Sequence, residues 1–172
     1  MPLVLNGTTG VQDNSGAFVA GTAVSSTSGT SIDFTGIPSW VKRVTVMFDG
    51  VSTNGSSFPR LQLGNTGGIE TTGYASTGTE LSSTATSSLS STNGFGLQIG
   101  WLSNLSFTGA VTLTLQGSNL WVMTGTVYRV GQANLTVIVG NKTLSATLDR
   151  IRITTVNGTD TFDAGSINIL YE

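Results

Sequence analysis

The stretch "SIDFTGIPSWVKRVTVMFDGVSTNG", residues 31–55, decides the fold class. Within it Val44, Val46 and Phe48 alternate with Thr45 and Met47. Successive side chains of a strand point to opposite faces, so the first set reads as core and the second as outward-facing. The preceding "GIPSW" (36–40) reads as a corner that turns the chain into this strand, with Trp40 plugging one end of the core. The following "DGVSTNG" leads out across the surface.

The same period of two recurs along the chain, and helical periodicity is nearly absent. It selects Leu61 and Leu63, then Leu97, Ile99 and Trp101, then Val111, Leu113 and Leu115 as further core residues. "LWVMTGTVYRV" (120–130) has apolar residues at both parities and predicts a strand covered on both faces. Leu135, Val137 and Val139 alternate next, followed by Leu144, Ala146 and Leu148. The parity then shifts to Ile151 and Ile153, which predicts a bulge or corner near Asp149. Asn157-Gly158 predicts a hairpin with a type I′ turn, and Ile167, Ile169 and Tyr171 share one side of a last strand. About ten short strands between Gly- and Asn-rich turns predict an all-β domain, an antiparallel β-sandwich of jelly-roll type. "STGTELSSTATSSLSST" (76–92) has little to bury and reads as a surface loop. No internal repeat and no dividing linker interrupt a length that suits one domain.

Charge is scarce. Asp, Glu, Lys and Arg make up 9% of the 172 residues, against about 25% in an average globular domain. Solubility must come instead from hydroxyls and amides, since Ser and Thr together number 49. The net charge of −2 argues against a nucleic-acid partner, because neutralising phosphates needs clustered Lys and Arg. Lys42-Arg43 and the Arg150, Arg152 pair read as solvated strand positions. No apolar run approaches the length of a membrane span, and "MPLVLNGTTG" lacks the pattern of a secretory leader. Strands rich in Val, Leu, Ile and Thr with so few charges lack the usual protection against edge-to-edge pairing. Self-association into a closed, symmetric oligomer is the expected remedy.

His and Cys are both absent. That removes Ser-His-Asp and Cys-His catalysis and the usual zinc sites. Two carboxylates can still hydrolyse a glycosidic bond when suitably spaced, and the candidates are Glu70, Glu80, Asp149, Asp160 and Asp163. Asp160 and Asp163, in "GTDTFDAG", read as turn formers, and the alternating oxygen ligands of a calcium loop are missing. The expectation is a protein that is not an enzyme and uses no metal or cofactor. Among the aromatics, Tyr74 in "ETTGYAS" is expected on the surface, where it could stack on a sugar ring. Trp121 and Tyr128 are further candidates for ligand contact, and Trp121 and Met123 for an oligomer interface, where large rings are enriched. The sequons "NGT", "NLS", "NLT" and "NKT" are chance products of an Asn- and Thr-rich composition.

"SGTSIDFTGIPSWVKRVTVMFDGVSTNG", "LQLG", "GGIETTGY" and the terminal "TDTFDAGSINILYE" occur in that order. In these segments the sequence resembles a family of tailed-bacteriophage virion proteins, in which such a block forms the C-terminal head of tail-fibre or tail-tip proteins. "MPLVLNGTTGV" is similar to the start of such fibres. The resemblance implies a virion protein assembled in the bacterial cytoplasm. Residues 1–24 would be an attachment segment docking on other virion proteins, and residues 25–172 a head domain. It further implies a homotrimer and attachment to host-surface polysaccharide. Family fibres carry a long shaft before the head, whereas only about 24 residues precede it here. A capsid decoration or cement protein is therefore the alternative.

Overall fold

The computed structural model describes residues 18–98 and 100–172 in full, together with the backbone of 5–6 and 10–11. The described residues form strands and turns with no helix, and every strand pairing is antiparallel. Short strands β1 (Leu5–Asn6) and β2 (Gly10–Val11) pair with each other. The remainder of the predicted attachment segment before Phe18, and the predicted core residue Ile99, lie outside the described residues.

A larger sheet contains β3 (Val19–Ala20), β4 (Val24–Ser25), β6 (Arg43–Thr53), β9 (Tyr74–Leu81), β10 (Thr86–Ser91), β12 (Ser106–Gly117), β13 (Leu120–Arg129), β14 (Asn134–Thr143) and β16 (Phe162–Tyr171). Its order is β10-β9-β14-β13-β12-β6-β16-β3, with β4 also on β16. A smaller sheet contains β5 (Ser31–Thr35), β7 (Pro59–Asn65), β8 (Gly68–Ile69), β11 (Phe95–Gly96) and β15 (Arg150–Thr155), ordered β11-β7-β15-β5 with β8 on β7. Val19–Ala20 and Val24–Ser25 thus belong to the larger sheet, although the sequence reading placed residues up to 24 in an attachment segment.

One core lies between the sheets. Val44, Val46 and Phe48 of β6 are buried as expected, while Met47 is exposed. Val111 and Leu113 of β12 and Ile167 and Ile169 of β16 continue the same layer. Leu61, Leu63, Ile151, Ile153, Ile32 and Phe34 face them from the smaller sheet. The architecture is β-sandwich-like. Leu97, Trp101 and Leu105, on the segment that crosses between the sheets, are also buried. The Trp101 indole N–H donates to Thr53 Oγ1 at 2.9 Å. Half-buried Trp40 packs against Tyr171, with ring centroids 5.9 Å apart, at the end where "GIPSW" turns the chain.

Several expectations are corrected. Residues 76–92 are not a loop: β9 and β10 pair across six positions, and β9 pairs β14 on its other side. Asn157-Gly158 is a turn but not a hairpin, because β15 lies in the smaller sheet and β16 in the larger. The two adjacent positive-φ residues that a type I′ turn requires are Ser118 (φ 48°) and Asn119 (φ 61°), joining β12 to β13. The parity shift before Ile151 reflects a corner, since the chain passes there from β14 to β15 and so changes sheet.

One glycine fixes a close approach. Gly109 has φ +154° opposite Val127, where β12 also shifts register against β6, and an added Cβ would lie 2.4 Å from the Thr126 carbonyl oxygen. Gly109→Ala is expected to cost about 2 kcal/mol or more, read as a lower urea midpoint with an unchanged slope.

Candidate interaction surface

The outward face of the larger sheet is set by its register. Residues directly opposite one another share a face. The outward rows are therefore Ala75, Thr77, Thr79 and Leu81 on β9, and Leu135, Val137, Val139 and Asn141 on β14. Val122, Thr124, Thr126 and Tyr128 on β13 and Thr108, Ala110, Thr112 and Thr114 on β12 continue them. None of these sixteen positions is charged. Leu81, Val122, Tyr128, Leu135, Val137 and Val139 are each exposed by 37–46%.

This overturns two expectations. Leu135, Val137 and Val139 do not enter the core; their inward neighbours Thr136, Ile138 and Lys142 are buried instead. A strand shifted by one position exchanges its faces, and pairing with inward Trp121, Met123 and Val127 of β13 fixes the parity of β14. Nor is 120–130 covered on both faces, since Val122, Tyr128 and Val130 are exposed.

The charges of these strands point inward. Arg129 pairs with Glu80, whose other oxygen accepts from Asn134 Nδ2 at 3.0 Å. Lys142 Nζ lies 2.6 Å from Glu70 Oε2. Glu70 Oε1 accepts from Asn65 Nδ2 at 2.9 Å, the Ser145 amide at 2.8 Å and the Ser145 hydroxyl at 2.7 Å. Burial pushes the Glu70 carboxyl up, but the bonds from Lys142 and Ser145, with the Lys142 charge, outweigh it and bring it from 4.5 down to about 2.

Tyr74 belongs to that cluster. Its hydroxyl accepts from the Leu63 amide at 2.7 Å and donates to the Glu70 carbonyl at 2.9 Å, while its ring meets Phe95 edge-on at 5.1 Å. Burial pushes its phenol up. The "GGIETTGY" segment is therefore a clamp, tying β7 to the end of β14.

Tyr74 at 3% exposure is thus not a surface residue, and the stacking role expected of it is withdrawn. Trp121 and Met123 are corrected in the same way: both face the core within one chain, at 2% and 0% exposure. Of the named candidates, Tyr128 alone stands on the surface. The outward Val and Leu residues of β13 and β14 were missed. Their signal was the placement of Arg129, Lys142 and Glu80 on the opposite parity.

The smaller sheet presents a different exterior. Its outward positions include Asp33, Arg60, Arg150 and Arg152, with Arg152 and Asp33 joined by two hydrogen bonds of 2.7 Å. Phe58, Leu89 and Val156 line a concavity of about 350 Å³ rimmed by Ser90, Thr92 and Asn93. Asp160 accepts from the Ser57 amide at 2.9 Å and from Asn157 Nδ2 at 2.6 Å, and Asp163 accepts from the Ser52 hydroxyl. Among the described residues no three His, Cys, Asp or Glu side chains gather as a metal site, and no helix is long and apolar enough to cross a membrane.

Compared with known proteins, the chain matches no family model, no curated protein and no solved structure.

Proposed function

We propose that this chain is a structural protein of a tailed-bacteriophage virion, a self-associating, trimeric head at a tail fibre or tail tip that attaches the particle to host-surface glycan. The observation that carries the reading is the disposition of charge. Five of the seven Lys and Arg residues are held in ion pairs: Arg43, Arg129, Lys142, Arg150 and Arg152. The outward rows of β9, β14, β13 and β12 are left to hydroxyl, amide and apolar groups, with Arg43 and Asp49 exposed on neighbouring β6. Such a surface suits neutral sugars and copies of itself, and offers proteases few cleavable basic sites. The segments that resemble phage tail proteins include both the β6 strand and the Glu70–Tyr74 clamp.

Quantitative mass spectrometry of purified particles tests it. A few copies per particle place the chain at the tail. Hundreds of copies assign it to the capsid as a decoration protein, and no copies end the virion reading. The purified protein is also expected to bind host cells saturably and to compete with particles for adsorption.

A further inference from the structure

We propose that the outward face of β12, β13, β14 and β9 is where copies of this chain meet one another. The inference rests on the self-association in the reading above and not on the virion or the glycan. Three observations point to a second copy as the occupant. First, the sixteen outward positions carry no charge, while Glu80, Arg129 and Lys142 of the same strands turn inward. When three copies turn one face towards a shared three-fold axis, like charges on that face are brought close together around the axis. A neutral face avoids this repulsion; an acidic or basic partner would find nothing here to pair with.

Second, the apolar residues are contiguous. Leu81 lies opposite Leu135, which lies opposite Tyr128, and Val137 and Val139 occupy the next outward positions of β14. Third, the size fits. The surface continues through Thr45 and Met47 of β6 and Asn168 and Leu170 of β16, bounded by exposed Asp49 at one margin and the Arg43–Glu172 ion pair at the other. Six strands of about eight residues make a face of roughly 29 by 26 Å, or 750 Å². Each partner in a standard protein interface gives up about 800 Å². The smaller sheet, with Asp33, Arg60, Arg150 and Arg152 outward, lacks this character.

The test is the mass of the full chain in solution, by light scattering and sedimentation. The wild type is expected at three times its 17.7 kDa. Val137→Lys with Val139→Lys is expected to run at the single-chain mass with an unchanged β-type circular dichroism spectrum, association being weakened by about a thousandfold. Should the lysines impair folding, Val137→Thr with Val139→Thr keeps shape and charge, and is expected to weaken association about tenfold or more. Thr35→Lys, on the exterior of the smaller sheet, should leave the mass unchanged. A wild-type oligomer that both β14 variants preserve overturns this face while leaving self-association standing. A wild-type monomer at tens of micromolar overturns both, while the copy number in particles still judges the virion reading. A monomer whose lysine variant loses binding to host cells gives the face to another molecule, and also overturns the inference.

Discussion

Truncating Phe107 to alanine is expected to lower the free energy of unfolding by about 3–5 kcal/mol. Phe107 is fully buried on β12, where the two sheets and the crossing segment converge. Its ring lies 5.2 Å from that of Phe48 and 5.5 Å, edge-on, from that of Trp101. Removing it strips contacts from both rings and opens a void between neighbours held by other bonds. Phe48 sits mid-strand between β12 and β16, and Trp101 is tethered to Thr53. A site that cannot collapse lies at the costly end of the range for large-to-small substitutions. Urea unfolding at a fixed protomer concentration measures it, since association adds a concentration-dependent term. Thr35→Ala, at an exposed position of β5, should stay within about 0.5 kcal/mol of wild type. Equal effects of the two substitutions would mean that the core is not centred on the Phe48–Phe107–Trp101 group.

That group shows where the sequence was readable. In β6 Val44, Val46 and Phe48 hold one parity against Thr45 and Met47, and Val111 and Leu113 hold one parity against Thr112 and Thr114 in β12. Burial follows the alternation because only one arrangement hides the apolar set. In β14 the rule fails, because Leu135, Val137 and Val139 look more like a core row than Thr136, Ile138, Gly140 and Lys142. The second row is inward because partners distant in the sequence make it so. Thr136 donates to buried Gln98 at 3.3 Å and Lys142 meets Glu70. Neither partner is near in sequence, so no local window contains the signal. β9 and β10 were hidden for another reason: Ser, Thr and Gly give no hydrophobic period, and these strands are specified by pairing on both sides of β9. Tyr74 misled because its immediate neighbours are polar, while the groups that bury it come from β7, β11 and β14. The candidate surface is thus legible only once register is known, as the face left over when the few charges have been turned inward.

Those inward charges carry the second large effect. Glu70→Ala is expected to cost about 3–5 kcal/mol, because it leaves the Lys142 ammonium buried beside the Tyr74 ring without its counter-charge. The Thr143 carbonyl, at 2.9 Å, is the acceptor that remains to it. The same substitution frees the Ser145 amide and hydroxyl and the Asn65 side-chain amide. Glu70→Gln separates charge from shape, since it retains an oxygen acceptor for Ser145 and loses the ion pair. The pH dependence follows from the direction of the shift. A carboxyl whose folded pKa, about 2, lies below its ordinary 4.5 stabilises the fold fully above 4.5 and loses that contribution as the pH falls through about 2. A shift of that size corresponds to about 3 kcal/mol. A fifth of the Glu70 side chain meets solvent, and screening there reduces the expected loss to about 1–2 kcal/mol. Between pH 5 and pH 2 the wild-type unfolding midpoint should therefore fall more steeply than that of Glu70→Gln. Parallel curves would remove Glu70 from the acid response, and a Glu70→Ala protein as stable as wild type would show that the clamp does not hold β7 to β14.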